Sequence, residues 1–288
     1  MGILSRLPSS WSFASLKPAC PFGWERLALT TVECEELLAA ARAHFRKEGR
    51  LIRLPERKTI VFVGDTHGDR EATETVLNRF LSPDHVIVFL GDYVDRGPDS
   101  EGNLRLLLET KLSHPDRVFL LMGNHEGWAV APFTPADFWR RLDLQRERAY
   151  AETLSLLPFA AYHPHGVLAL HGALPDVERV EEIERVQLGS PDWRKITWGD
   201  WADLPGYSAG DYFGRPTFGR DFFREVMDRL GLRVLVRSHQ PHAPTYLFNG
   251  RCLTIFTSSA YGGTERTVAI LRPGRPLRDA RDLELTAL

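Results

Sequence analysis

Cysteine is nearly missing from this chain. Cys20, Cys34 and Cys252 are the only three among 288 residues. They are odd in number and too widely spaced for a disulfide framework or a thiolate metal site. This scarcity suits a reducing compartment, with each thiol acting as a small apolar filler. Long hydrophobic runs are missing too: no stretch reaches the roughly 20 apolar residues that cross a bilayer. The N-terminus carries Arg6, but Ser9, Ser10, Ser12, Lys17 and Pro18 interrupt any apolar core. It reads as an irregular arm and not as a signal peptide. No Asn-x-Ser/Thr glycosylation acceptor occurs, which agrees with a cytoplasmic expectation. Neither sign of charge prevails: 36 Lys and Arg face 38 Asp and Glu, for a formal net charge of −2. Without a basic field, neither nucleic acid nor membrane is expected as a partner. Internal repeats and low-complexity blocks are absent as well.

What remains is ordinary globular composition, 43% hydrophobic and 26% charged, with length for a large core. Thr30 and Glu33 have capping-box spacing, and Leu37, Leu38, Ala41 and Phe45 recur at helical spacing up to Gly49. Thr59 to Val63 then reads as a buried strand feeding Gly64-Asp65-Thr66-His67-Gly68. A helical segment with Val76, Leu77, Phe80 and Leu81 on one face follows. His85 to Leu90 is a second strand, feeding Gly91-Asp92-Tyr93-Val94-Asp95-Arg96-Gly97. Another helix holds Leu104 and Leu106 to Leu108. Arg117 to Met122 is a third strand, feeding Gly123-Asn124-His125-Glu126.

Strand, polar loop, helix: this order, met three times, predicts an α/β fold with a partly parallel sheet. Beyond it, 135–157 reads as mostly helical, Val167 to Leu170 as a strand into His171-Gly172, and 175–215 as loop-rich. A helix over 221–230 stops at Gly231, and the next strand runs into Arg237-Ser238-His239. Residues 245–256 read as a hairpin on a two-residue Asn249-Gly250 turn, and Thr267 to Leu271 as a last strand. We expect an arm over 1–28, a single domain over 29–272 and a peripheral tail over 273–288.

Five strand ends thus carry Asp65 and His67; Asp92, Asp95 and Arg96; Asn124 and His125; His171; and His239. Functional groups of open α/β sheets gather beyond the carboxyl ends of strands. A set of oxygen and imidazole donors without thiolate suits manganese, iron or zinc. Aspartates crowded together repel unless protonated or neutralised, and two divalent ions would neutralise them.

The loops beginning at Gly64, Gly91 and Gly123 closely resemble the three signature blocks of the phosphoprotein phosphatase (PPP-type) family of calcineurin-like metallophosphoesterases. The resemblance extends through Leu157-Pro158-Phe159-Ala160-Ala161, His171-Gly172, Trp198-Gly199-Asp200, Phe218-Gly219 and Arg237-Ser238-His239, covering about residues 30 to 271. It implies a central β-sandwich flanked by helices. It further implies one metal held by Asp65, His67 and Asp92, and a second held by Asp92, Asn124, His171 and His239, with Asp92 bridging. Manganese is the first expectation for both ions, iron or zinc the alternatives. The implied reaction is direct attack of a metal-bound hydroxide on phosphorus. His125 would protonate the leaving alkoxide, Asp95 would orient His125, and Arg96 and Asn124 would hold the phosphate.

The sequence departs from that pattern in two places. Tyr212 stands where eukaryotic members carry a second phosphate-binding arginine. Arg215, three residues on, either takes that task or is a solvated loop residue. The family's long tyrosine loop is shortened here to Ser259-Ala260-Tyr261-Gly262-Gly263, with Tyr261 expected to keep its place beside the phosphate. Arg237 reads as a buttress of its strand before a substrate contact, and Trp128 as cleft lining or core. The leading reading is a phosphatase acting on phosphoserine and phosphothreonine in proteins or peptides. Hydrolysis of dinucleoside tetraphosphates, activity on phosphotyrosine and a non-catalytic scaffold are the alternatives.

Overall fold

Alternation along the strands decides the architecture. In the computed structural model, which describes residues 31–212, 214–263 and 265–288, α1 (Thr31–Glu48) precedes β1 (Leu51–Arg53) and β2 (Thr59–Val63). Then come α2 (Arg70–Phe80), β3 (His85–Phe89), α3 (Ser100–Ser113), β4 (Val118–Leu120), α4 (Asp137–Arg140) and α5 (Leu144–Leu154). The second half contains β5 (Ala160–His163), β6 (Val167–Leu170), α6 (Pro191–Trp198), β7 (Asp200–Trp201), β8 (Ser208–Tyr212) and β9 (Arg215–Phe218). It ends with α7 (Arg220–Arg229), β10 (Val234–Arg237), β11 (Tyr246–Leu247), β12 (Cys252–Thr254), β13 (Thr267–Leu271) and β14 (Glu284–Ala287).

Two sheets form the centre, ordered β1-β5-β6-β10-β12-β11 and β14-β13-β2-β3-β4. Successive strand side chains point to opposite faces. Ile60 and Phe62, with Val86 and Val88, therefore face the other sheet, where they meet Ala161, Val167, Ala169, Val234, Val236 and Leu253 in one buried cluster. Val61, Val63, Ile87 and Phe89 face outward, where Val76, Leu77, Phe80, Leu104 and Leu107 cover them. Each such side chain fully buried contributes about 1.5–3 kcal/mol. The strands read as unbroken apolar runs because both of their faces are covered.

The helices start where small polar residues can accept from the free N–H groups of their first turns. Asp69 accepts from Ala72 N at 3.1 Å, Asp99 from Gly102 N at 2.8 Å, and Ser190 from Trp193 N at 3.2 Å ahead of Pro191. Gly49, at φ +81°, stops α1. Thr30, expected to cap α1, and the arm over 1–28 lie outside the described residues. No helix among the described residues is long and apolar enough to cross a membrane.

Three expectations need correction. The hairpin expected on a two-residue turn pairs Leu247 with Cys252, so its connection is the four residues 248–251. Both Phe248 and Asn249 take positive φ there, and the buried Phe248 ring stacks on Phe223 at 4.1 Å. That packing requires a wider turn than Asn-Gly alone would make. The stretch expected to be loop-rich contains α6 and a small third sheet, β7-β9-β8, whose strands are too short and too polar to show a period. Residues 273–288 contribute β14, an edge strand paired antiparallel to β13. Their alternation of charge with Pro and Gly hides the few buried positions that dock it, Leu277, Ala280 and Leu283.

Candidate metal centre

Parallel pairing sets the site. Strands β2, β3 and β4 run side by side in the same direction, so the loops after them emerge at one edge. Strands β6 and β10 are parallel in the facing sheet and deliver His171 and His239. The two edges are sewn together: Asp65 N donates to Ser238 Oγ at 2.9 Å, Ser238 Oγ donates to Ile255 O at 2.7 Å, and Gly64 N donates to Thr257 Oγ1 at 2.8 Å. Residues far apart in sequence thereby converge, and all are at most 3% exposed: Asp65, His67, Asp92, Asn124, His125, His171 and His239.

The turns after the strands are sharp. His67, Asp92, Asp95, Arg96 and His239 have φ of 43°, 55°, 67°, 70° and 69°, in the left-handed region that disfavours side chains by of order 1 kcal/mol or more each. Gly123 is required for close approach, since a Cβ there would lie 2.2 Å from Asp92 Oδ1. Glu126 binds the loops together by accepting from Asp92 N and Tyr93 N at 2.8 Å and from Gly123 N at 2.9 Å.

Hydrogen bonds at the rear of each imidazole fix its tautomer. His67 Nδ1 donates to Val94 O at 2.9 Å and His171 Nδ1 to Leu90 O at 3.0 Å. Their Nε2 atoms are left facing inward. His67 Nε2 lies 3.6 Å from Asp65 Oδ2 and 3.7 Å from Asp92 Oδ2. His171 Nε2 lies 3.3 Å from Asp92 Oδ2, 3.2 Å from Asn124 Oδ1 and 3.0 Å from His239 Nδ1. Two groups have donor atoms close enough together to hold a cation: His67, Asp92 and His125; and Asp92, His171 and His239. Asp92 is common to both. Asp65 Oδ2 adjoins the first, 3.6 Å from His67 Nε2, whereas His125 is engaged by Asp95.

The electrostatics fit that use. Burial, opposed by His171 and reinforced by Asp92, pushes the Asp65 carboxyl up to about 6. Burial and the Asp92 charge push Glu126 up to about 7. Burial, with His125 adding to it, holds His67 down to about 3. His171 is raised to about 9 although burial opposes this, because Asp92 and Asp65 favour its charged form. The field that would hold a proton on His171 would equally hold a metal cation in its place. Asp65 Oδ2 is buried without a hydrogen-bond partner among the described residues, and His171 Nε2 faces His239 Nδ1 at 3.0 Å. Buried lone pairs left unsatisfied are costly, and divalent cations would satisfy them. The donors present therefore fit divalent metal.

His125 stands beside this group. Its Nδ1 is 2.5 Å from Asp95 Oδ2 and its Nε2 is 3.9 Å from Asp92 Oδ2. Its pKa is raised: burial opposes this, but Asp92 and Asp95 outweigh it. Asp95 in turn accepts from Phe138 N at 2.7 Å, and Trp139 Nε1 donates to His125 O at 2.9 Å.

Arg96 is exposed, and its guanidinium lies 5.4 Å from the centre of the Tyr261 ring. Tyr261 also meets His67 edge-on at 5.5 Å. Its loop is clamped by Asp69, which accepts from Ser259 N at 2.8 Å and from Arg266 Nε at 2.9 Å. Arg215 is no solvated loop residue. It forms a bidentate pair with Asp200, at 2.9 and 2.8 Å, and reaches His239 O at 3.4 Å. The side chain of Tyr212 lies outside the described residues. Arg237 is fully buried and donates Nε to Ser238 O at 2.9 Å, a buttress for the turn that carries His239. Trp128 is half-buried and stacks on Trp139 at 5.3 Å.

Sequence reasoning missed four contributors. Glu126 and Ser238 stood inside the recognised blocks, and their polar character beside the ligating positions was the available signal. Asp200, 3.6 Å from His239 Nε2, stood in the Trp198-Gly199-Asp200 block with no role assigned to it, and Phe133, whose ring meets His125 at 4.6 Å, gave no signal.

Comparison with known proteins agrees with the geometry. A family model described as calcineurin-like phosphoesterase matches residues 58–243. Over 227 residues the chain is 30% identical to a provisionally named serine/threonine-protein phosphatase of Encephalitozoon cuniculi. That match covers 72% of this chain and 48% of the relative, so the chain spans about half of the relative's length. A protein serine/threonine phosphatase from Saccharomyces cerevisiae, described as similar to human phosphatase PP5, superposes with a TM-score of 0.76 at 22% identity over 90% of each chain. A provisionally named diadenosine tetraphosphatase superposes at 0.53 with 19% identity, covering 83% of this chain and 98% of that one. A cold-active protein-tyrosine phosphatase of a psychrophilic Shewanella does so at 0.52 with 18% identity, covering 83% and 82%. At these identities the solved structures bear on the fold alone.

Proposed function

The chain belongs to the calcineurin-like phosphoesterase family, and from that premise we propose that it is a dinuclear metal-dependent phosphatase acting on phosphoserine and phosphothreonine in proteins. Asp65, His67 and Asp92 would hold one cation, and Asp92, Asn124, His171 and His239 the other. We take manganese as the first candidate, with iron or zinc as alternatives. When bound, such a pair lowers the pKa of water and neutralises phosphoryl oxygens.

The chain's own groups do the rest. Asp95 accepts from His125 Nδ1–H, so Nε2 carries the proton that can be given to the leaving oxygen. An alkoxide is a poor leaving group without one. Arg96 offers its planar fork to the phosphate from the open side of the cleft, and Tyr261 keeps that fork over the site. Asn124 would take part in both tasks, its Oδ1 toward the cation and its amide N–H toward a phosphoryl oxygen. Arg215, tied to Asp200, adds positive charge at the rim, and its field reaches Asp92 and Tyr261. The two described cysteines are buried and free, in keeping with a cytoplasmic setting.

The observation that carries the reading is the His125–Asp95 pair facing a buried cluster whose lone pairs call for cations. The test is a substrate panel with Mn²⁺: a phosphothreonine peptide, diadenosine tetraphosphate and an Asp92→Asn control. We expect the phosphopeptide to be hydrolysed fastest, and chelation to abolish turnover reversibly. Faster hydrolysis of the dinucleotide would move the assignment to that substrate class. No hydrolysis and no metal uptake would leave a scaffold.

A further inference from the structure

We propose that Phe133 makes the leaving-group side of this centre an aromatic wall that lets it accept phosphate esters of phenols, the tyrosine side chain among them, beside those of serine and threonine. The proposal rests on the phosphatase reading and widens its substrate class. His125 Nδ1 is occupied by Asp95, so only Nε2 can reach the leaving oxygen. Whatever is attached to that oxygen must pass the groups that flank the imidazole. Phe133 flanks it, with ring centres 4.6 Å apart at 75°. Trp198 continues the wall, 5.1 Å from Phe133 at 83° and 6.4 Å from His239. Both rings are half-buried, so each packs on the core and keeps some surface for a ligand.

The wall is held in place. Trp128 Nε1 donates to Phe133 O at 3.2 Å. Trp128 stacks on Trp139 at 13°, and Trp139 Nε1 donates to His125 O. The segment therefore leaves His125, turns, and is fastened back to the residue it covers. A pre-positioned ring loses little freedom when a second ring meets it edge-on, and such pairs shift rates by about 3- to 10-fold beyond area burial.

The chemistry is unchanged. A water oxygen bonds to phosphorus, the ester P–O bond breaks with its electron pair going to the phenol oxygen, and that oxygen takes the His125 proton. The surplus proton of the water restores His125, and a phenol and inorganic phosphate leave.

The test compares kcat/KM on two peptides of identical flanking sequence, one with phosphotyrosine and one with phosphothreonine, for wild type, Phe133→Ala and Phe133→Leu. The intrinsic reactivity of the two esters cancels when the tyrosine-to-threonine ratio is compared between proteins. We expect Phe133→Ala to lower that ratio about 3- to 10-fold, and Phe133→Leu, which keeps bulk but no ring, to lower it by a similar factor. A purely structural Phe133 would reduce both substrates alike, and an unmoved ratio in the folded Leu variant overturns the proposal. Wild type inert on both peptides would instead sink the phosphatase reading itself.

Discussion

His125→Asn should lower kcat on a phosphothreonine peptide by roughly 10²- to 10⁴-fold while bound metal stays near its wild-type level. That range is the contribution of a positioned general acid. Two carboxylates raise the pKa of His125, which favours its acid form. The deficit should be smaller on an aryl phosphate, whose leaving group needs the proton less. Asp95→Asn checks the assignment independently. Removing one of the carboxylates that raise the imidazole lowers its pKa, so the proton is lost at lower pH. The alkaline limb of the kcat profile should move toward acid, with metal retained. Equal loss on alkyl and aryl esters, with no movement of that limb, would remove His125 from the acid's role.

Asp92→Asn should abolish metal retention and reduce turnover by roughly 10³-fold or more, because several kcal/mol of charge stabilisation depart with the cations. Its carboxylate is the one ligand common to both candidate groups, and an amide has no negative charge to share. A folding readout separates this from general damage. Cations that bind only the folded chain raise stability by about 2.7 kcal/mol when present at a hundred times Kd. Added Mn²⁺ should therefore raise the unfolding temperature of wild type and leave that of Asp92→Asn unmoved. Wild-type metal content in the variant would show that Asp92 does not bridge.

Much of this centre was legible because each block sits directly after an apolar run. A run such as His85 to Phe89 is covered on both faces and must be a central strand, so whatever follows it emerges at the sheet edge. The six expected metal-holding residues and His125 do converge, because β2, β3 and β4 are parallel and β6 and β10 face them. What could not be read depends on contacts between segments with no local signature. Strands β7 and β8 have no hydrophobic period, so the small sheet that carries Asp200 and Arg215 read as loop. The pairing of Arg215 with Asp200 spans 15 residues and needed the third dimension. Strand β14 was hidden by its charged flanks, since an edge strand needs few apolar positions. Phe133 lay in a Pro-flanked stretch whose path is set by two tryptophans, and no spacing rule points it back at His125.

The left-handed backbone at Asp95, Arg96 and His239 bears on how this protein can be improved. Glycine is at ease at such angles and an L side chain is not. A library selected for heat tolerance alone would thus be drawn toward glycine at these positions, giving sturdier molecules stripped of their working groups. Any campaign to harden the protein has to score hydrolysis in every round, because here resistance to heat and competence as a catalyst are set against each other within single residues.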